Sequence, residues 1–517
     1  MNRDSRRDRS LERALVANFL VHGLAMLSMA GLLLPYLPGG STHADLTRVE
    51  LLAAAPWPFR LGWFPWQLCA VCDLWMAIAM ARTRWLPRVG TLFVLVATIA
   101  AVIPDQLAQA RWITEGVTRA ASVTDAASLE SYLTWERATF NLTAGVGASL
   151  YTLSALGWTF CFARAGTWRP LLTWLSIPLW CAMGVAVVSP LLPASMRPDP
   201  RLIAFANAVG FALLQIWLAL VTEEVLRRRR PPSPAGRLAQ WRFPRKGLIA
   251  RAIEILAESR FVSAILEPLP VFAMVSDITD VVYVSYLIEA DRVLSLVPEG
   301  LELDRLGEGG RYALFTFLTF RHGHFGFRFL GPIRRLSPSA IQTNWRIHVK
   351  DPRTGLRGIF FVTNAITQPL QALGARLFTE GMPMHILESA SIERDATTGR
   401  VRIELAPGNG SAPDGHIDVS PGAAIELDSA FRECFGTYRG FLAYCVPQNR
   451  SMSSEPWHGR VTRQEIDLPI PLDECVPVTG TVRSQAARAI AGDAEPVCFY
   501  VSGLAFSFSK EVHDPFE

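Results

Sequence analysis

Four groups of residues in this 517-residue chain have the types and spacing that chemistry needs. Asn344, Arg346 and His348 alternate along NWRIHVK, so a strand would present all three on one face. His322 and His324 are spaced the same way in FRHGH, while Arg376 and His385 flank the Gly-Met-Pro of ARLFTEGMPMH, with Met384 beside His385. If they converge, these groups form a polar cavity for a small acidic or carbonyl-bearing ligand, with Arg346 as its charge partner. The plainer alternative is a hydrogen-bonded network that holds strands together, because a lone buried charge would be too costly. A metal site built from His322, His324 and His385 lacks a third ligand at diagnostic spacing, so no metal is assigned, and no cofactor is expected. The fourth group sits in apolar sequence. Cys69-Ala-Val-Cys72 is a CxxC followed by Asp73, with His22 in an earlier apolar block as a candidate partner. A carboxylate near mid-span marks either a functional site or a protonated side chain bonded to a neighbouring helix. The two thiols are either a redox pair or small residues on a packed face.

The elements that must position these groups differ between the halves. Half of the residues are apolar, only 19% are charged, and mean hydropathy is +0.23. That excludes a disordered chain and disfavours an entirely soluble one. The excess lies in six blocks: Leu15–Leu37, Leu61–Ala81, Val89–Leu107, Thr139–Ala163, Leu171–Leu192 and Leu202–Leu220. Each is close to the roughly 20 residues that cross a hydrocarbon core. Twelve of the 15 tryptophans precede residue 220, several at block ends where an indole suits the headgroup layer. Arginine is twice as frequent in one alternating set of connections (the N-terminal tail, Arg82–Arg88, Arg164–Arg169 and Arg227–Arg230) as in the other, which includes Arg48, Arg60 and Arg197. This places both termini in the cytoplasm and the spans in the cell inner (cytoplasmic) membrane. The first block is too long for a cleaved signal's apolar core and is read as a retained span. The expected organisation is an all-α, six-span transmembrane bundle over residues 1–226, a basic proline-containing linker over 227–246 and a cytoplasmic domain over 247–517. A net charge of +4 argues against a nucleic-acid partner, so the expected partners are the lipid bilayer and a small molecule.

After residue 247 the pattern changes. A helical stretch at Ile249–Ser259 is followed by short runs rich in Val, Ile, Phe and Tyr, punctuated by Gly, Pro, Asn and Asp. This predicts a mainly antiparallel sheet or barrel, with helical insertions near Ala290–Leu296 and Pro369–Glu380. The segment Tyr283–Asp304 (YVSYLIEADRVLSLVPEGLELD) resembles a signature shared by acetoacetate decarboxylase and the YqjF-type conserved bacterial domain family of unknown function. Further matches to the latter are Phe317–Gly326, Asn344–Val349, Ala375–His385, Tyr444–Arg450, Trp457 and Arg463–Ile466. The resemblance spans roughly residues 260–510 and implies an acetoacetate-decarboxylase-like, α+β fold, a cone-like antiparallel β-barrel around a central cavity. The membrane half resembles no family.

Decarboxylation of that kind needs a lysine amine to form a Schiff base, activated by a second cation beside it. The resemblance sets Met384 and His385 at the two lysine positions. It sets Thr279–Asp280 near the substrate-carboxylate arginine and Leu314 near the cavity glutamate, so neither residue type is present. Only Lys246, Lys350 and Lys510 exist in the whole chain, against 47 arginines, and none is placed to substitute. The sequence therefore favours a membrane-anchored binding module without Schiff-base decarboxylase activity. Two alternatives stay open: an enzyme on a lipid-soluble or carbonyl substrate with His385 or His348 as acid or base, and a membrane oxidoreductase or transporter acting through Asp73 and Cys69/Cys72.

Overall fold

The computed structural model describes residues 3–37, 41, 43–166, 168–189, 192–196, 198–422, 425–447 and 449–516. Arg197 and Gln448, each part of a sequence argument above, lie outside the described residues. The chain divides into two compact units, Met1–Arg229 and Arg230–Glu517.

The first unit is helical. Among the described residues five helices are long and apolar enough to cross a membrane: Arg7–Tyr36, Pro56–Arg82, Arg88–Ala121, Ala126–Arg164 and Phe205–Arg229. This corrects the expected six. The fifth apolar block forms a shorter helix, Pro170–Val188. Its sequence explains the stop, because Pro190 and Pro193 follow and a proline can neither donate to nor continue a helix. The helices leave apolar stripes uncovered. Val89, Val96 and Ile103, seven residues apart on one helix, are all exposed, as are Leu92, Ile99 and Leu107 beside them. Such a stripe needs an apolar solvent or partner.

In the second unit the residues expected to form a linker are packed into the fold. Gly236 N–H donates to the Val362 carbonyl, Arg237 pairs with Glu455 at 2.9 Å, and Trp241 Nε1 donates to the Met384 carbonyl. Among the described residues fifteen strands follow: β1 Met274–Glu289, β2 Glu302–Leu303, β3 Tyr312–His322, β4 Gly326–Phe327, β5 Ala340–Lys350, β6 Arg357–Ile366, β7 Met384–Ile386, β8 Ser389–Arg394, β9 Val401–Ala406, β10 Gly415–Pro421, β11 Arg450–Ser454, β12 Arg460–Asp467, β13 Val476–Arg483, β14 Val497–Phe508 and β15 Val512–Pro515. They form one mixed, mostly antiparallel sheet in the order β15-β12-β11-β6-β5-β3-β1-β14-β13-β10-β9-β8. β7 and β11 each run parallel to β6. A further pairing of β12 with β14 returns the hydrogen-bonded path to a strand it has already used.

Both faces of the central strands are buried, which is why their sequences read as near-continuous apolar runs. On β5, Trp345, Ile347 and Val349 enter one core with Phe315, Phe317 and Phe360. The alternate residues Asn344, Arg346 and His348 face a second core holding Tyr283, Leu318, Phe361, Phe441 and Phe499. The helix Tyr438–Cys445 contributes Phe441, Leu442 and Cys445 to that second core.

Candidate functional site

Strand register assembles a row of side chains facing the second core. Phe499, Tyr283, Leu318, Asn344, Asn364 and Met384 are successive direct partners across β14, β1, β3, β5, β6 and β7. Direct partners share a face, so two amides and a thioether stand side by side in an otherwise apolar row. Asn344 Oδ1 accepts from Gln342 Nε2 at 2.6 Å. Gln342 Oε1 accepts from His322 Nε2 at 2.7 Å, which leaves His322 Nδ1 to accept from Ser276 Oγ at 2.7 Å. Burial pulls the His322 pKa down to about 4, so the ring is neutral at pH 7.

Asn364 differs from its neighbour. It is fully buried, yet neither its Oδ1 nor its Nδ2 has a hydrogen-bond partner among the described residues. A buried amide usually satisfies both atoms, and an unmet one costs about 1–3 kcal/mol.

The next row is also polar. Arg346, Thr316 and Ser285 are direct partners across β5, β3 and β1. Ser285 and Thr316 lie 3.0 Å apart, with Cys445 Sγ 3.6 and 3.8 Å from their hydroxyls. The Arg346 guanidinium lies 5.3 Å from the Tyr283 ring, which stacks on Phe499 at 4.3 Å. Burial drags the Arg346 pKa below its usual value, and the phenol of Tyr283 and the thiol of Cys445 oppose that shift. His348 packs against Tyr444 with ring centroids 4.7 Å apart. Its pKa falls to about 3 through burial and then Arg346, and its Nε2 has no hydrogen-bond partner among the described residues. Tyr444 Oη in turn donates to Asp304 at 2.9 Å.

Other sequence candidates lie elsewhere. Arg376 donates to the carbonyls of Ala257 and Ala239, both at 2.9 Å, so it ties the unit's first residues to the helix Pro369–Phe378. Burial lowers its pKa to about 9. His385 alternates with Met384 and meets Ser411 Oγ at 2.8 Å, its pKa lowered to about 3 by burial and then Arg376. His324 lies beyond the end of β3, exposed, 3.1 Å from Asp277. His322, His324 and His385 therefore have three separate sets of partners. Asp280 is held at φ +54° in a bulge of β1, its carboxylate accepting from Tyr500 Oη. Lys350 pairs with Glu302 at 3.1 Å, and Lys246 and Lys510 are exposed.

In the helical unit Asp73 accepts from Asn18 Nδ2 at 2.8 Å, with His22 Nε2 3.9 Å from its other oxygen. Cys69 and Cys72 are buried free thiols. Sequence reasoning passed over Asp105, which accepts from Gln109 at 2.9 Å and Thr143 at 2.7 Å.

A cluster that sequence reasoning also missed joins Glu267, Glu380, Glu455 and His458, whose ligand-type atoms all lie within 4.8 Å of one another. Three carboxylates and an imidazole at that spacing could hold a divalent cation. Each carboxylate already meets an arginine: Glu267 with Arg230 at 3.2 Å, Glu455 with Arg237 at 2.9 Å, and Glu380 with Arg460. His458 touches all three. Burial works against its charge, but the bonds to Glu267 and Glu455 prevail and raise its pKa. The same contacts hold Glu267 and Glu380 low despite burial. Beside them Glu511 accepts from the Glu380 and Gly381 backbone, and burial together with Glu380 pushes it up to about 7. The available signal was Glu455-Pro-Trp-His458, a Glu-x-x-His spacing next to the quoted Trp457.

Residues 276–505 match the model of a family designated DUF2071 and described as an uncharacterized conserved protein. No curated protein matches the chain. Among solved structures, the enduracididine biosynthesis enzyme MppR with bound HEPES is similar at 15% identity, covering 48% of this chain and 87% of that one, with a TM-score of 0.30. An acetoacetate decarboxylase-like enzyme from Sphingomonas wittichii RW1 is similar at 10% identity, over 48% and 93% of the chains, with a TM-score of 0.32. Acetoacetate decarboxylase from Legionella pneumophila is similar at 12% identity, over 48% and 87%, with a TM-score of 0.29. The helical unit lies outside the family match.

Proposed function

We propose that this is a membrane-anchored binding protein. Its C-terminal unit is a closed β-barrel that takes a small carboxylate- or carbonyl-bearing molecule into its interior and forms no Schiff base with it. The observation that carries the reading is Asn364. Its two unmet amide atoms stand between Asn344 and Met384 in the interior row, one row from Arg346. An amide and a guanidinium offer N–H donors to a carbonyl or carboxylate oxygen, while Tyr283, Phe499 and Leu318 offer an apolar wall. The β12–β14 pairing supports closure of the barrel. The thioether of Met384, where the resemblance puts the reactive lysine, cannot form an imine.

Anchoring rests on the apolar helices and their uncovered stripes. Placing both termini in the cytoplasm requires the short helix Pro170–Val188 to cross as well. Its 19 residues span about 28 Å, close to the ~30 Å hydrocarbon core.

The test is mass spectrometry of small molecules released from the purified full chain. The expected result is one acidic or carbonyl species that co-purifies with the native chain and is lost from Asn364→Leu and Arg346→Met, each still folded by circular dichroism. Retention of that species by both variants would place it outside this interior and refute the assignment. Recovery of a borohydride-trapped adduct on any of the three lysines would refute the chemistry.

A further inference from the structure

The C-terminal unit carries an apolar patch with a basic rim. After β4 the chain runs through Arg328–Leu336, a 3-10 segment turned at Gly331 (φ +49°) and Pro332. Its large apolar side chains point to solvent: Phe329 is 66% exposed, Ile333 63% and Leu336 84%. Phe272 packs its ring against Phe327 and Phe329 at 6.0 and 5.3 Å, and those two stack at 5.4 Å. All three rings remain at least 40% exposed. Arg328 and Arg335 are exposed alongside, and Lys510 lines the same hollow of about 580 Å³ as Phe272 and Arg328. Glu465 and Asp467 also line it.

An ion pair ties the segment leading into the patch to the residue that opens the unit. Arg230, its first residue, pairs with Glu267, and Phe272 follows only five residues later. Arg230 is also the next residue after Phe205–Arg229, a helix able to cross a bilayer. A surface tethered with almost no linker meets the bilayer at high effective concentration. Aromatic and long aliphatic side chains ringed by arginine and lysine are the composition that settles into a headgroup layer. We infer that Phe272, Phe327, Phe329, Ile333 and Leu336 form a finger that dips into the bilayer surface, with Arg328, Arg335 and Lys510 on anionic headgroups. This rests on the membrane anchoring proposed above. It adds that the soluble unit is itself a peripheral membrane domain, held down at a second point.

The test uses the full chain in lipid nanodiscs, with Cys181→Ser removing the exposed native thiol and Phe329→Cys carrying a fluorophore. Thr397→Cys, exposed in the β8–β9 turn, is the control. Nitroxide-labelled lipid should quench position 329 by half or more and position 397 by less than a tenth. Adding Leu336→Asp should remove most of the quenching, and anionic lipid should increase it. Position 329 unquenched in chains that remain in the nanodisc would overturn the finger. So would a position 329 shielded from aqueous iodide but not quenched by lipid, because protein would then cover it. A chain that stays monodisperse with neither detergent nor lipid would instead refute the anchoring, and the finger with it.

Discussion

Acidification should unfold the C-terminal unit steeply between pH 6 and 5, because the unit buries three neutral histidines. His322, His348 and His385 have pKa values lowered to about 4, 3 and 3, chiefly by burial. In the unfolded chain each returns to about 6.5. A depressed histidine pKa means that the unfolded state binds the extra proton, so stability is lost as pH falls below 6.5. Glu511 acts in the opposite sense. Its pKa of about 7 makes the folded state bind one proton more than the unfolded state down to about pH 4.5. Three protons against one leave a net of two. At roughly 1.4 kcal/mol per proton per pH unit, stability should fall by about 3 kcal/mol from pH 6 to pH 5, a large part of a typical domain's stability of about 5–15 kcal/mol. The assay is pulse proteolysis of the full chain across a urea series in detergent, reading the midpoint for loss of the C-terminal fragment at each pH. His322→Gln keeps a donor for Gln342 and an acceptor for Ser276 but cannot titrate, so it should halve the slope. His385→Asn should do the same. Slopes equal to wild type in both variants, or stability rising on acidification, would refute the reasoning.

The carboxylate–histidine cluster gives a second prediction. Glu380→Gln removes the partner of Arg460, Thr462 and His458 in a buried site. It should cost about 3–5 kcal/mol in the same assay, whereas Arg400→Ala, in the solvent-screened pair with Asp418, should leave the midpoint nearly unchanged. In the helical unit, Asp105→Leu strands Gln109 and Thr143 and should lower the denaturation midpoint in a sodium dodecyl sulfate titration. That loss corresponds to about 1–3 kcal/mol per unmet group, and Asp105→Asn should recover most of it. For topology, Trp168→Cys and Ser195→Cys in a cysteine-free chain should react with an impermeant maleimide from opposite sides of sealed vesicles. Reaction from the same side would mean that Pro170–Val188 does not cross and that the two termini face opposite compartments.

The division of the chain was legible because hydropathy accumulates: a run of some 20 apolar residues reports its environment without help from any partner. The boundary was less legible. Arg230–Lys246 reads as a basic, proline-containing linker, and only the distant Glu455, Val362 and Met384 show that it is packed. Similarly, alternation placed Asn344, Arg346 and His348 on one face, since period two is a property of a single strand. It could not say that His324 falls past the end of β3, nor which way Met384 and His385 divide, because strand ends and edges are set by pairing. The cluster around His458 was invisible for the same reason. Its carboxylates come from positions 267, 380 and 455, and only the tertiary fold brings them together.

Arg48 shows how tertiary packing bears on a composition argument. Counted along the sequence, it is one of the arginines in a connection between spans, where free loop charge reports orientation. In the folded unit it is buried and bidentate to Glu136, both bonds at 2.6 Å, with the Tyr36 carbonyl as a third acceptor. Orientation follows the count of basic residues and is not a net-charge rule, and Arg169, Arg227 and Arg229 on the favoured side are paired with glutamates in the same way, so the two-to-one asymmetry stands unchanged. The five-helix count acts the other way, since an odd number of crossings would separate the termini. The two observations agree only if Pro170–Val188 crosses, and its length of about 28 Å allows this with little mismatch against the hydrocarbon core. The orientation of the whole molecule therefore turns on one short, proline-terminated helix, which is why the paired cysteines at 168 and 195 bear on more than local topology.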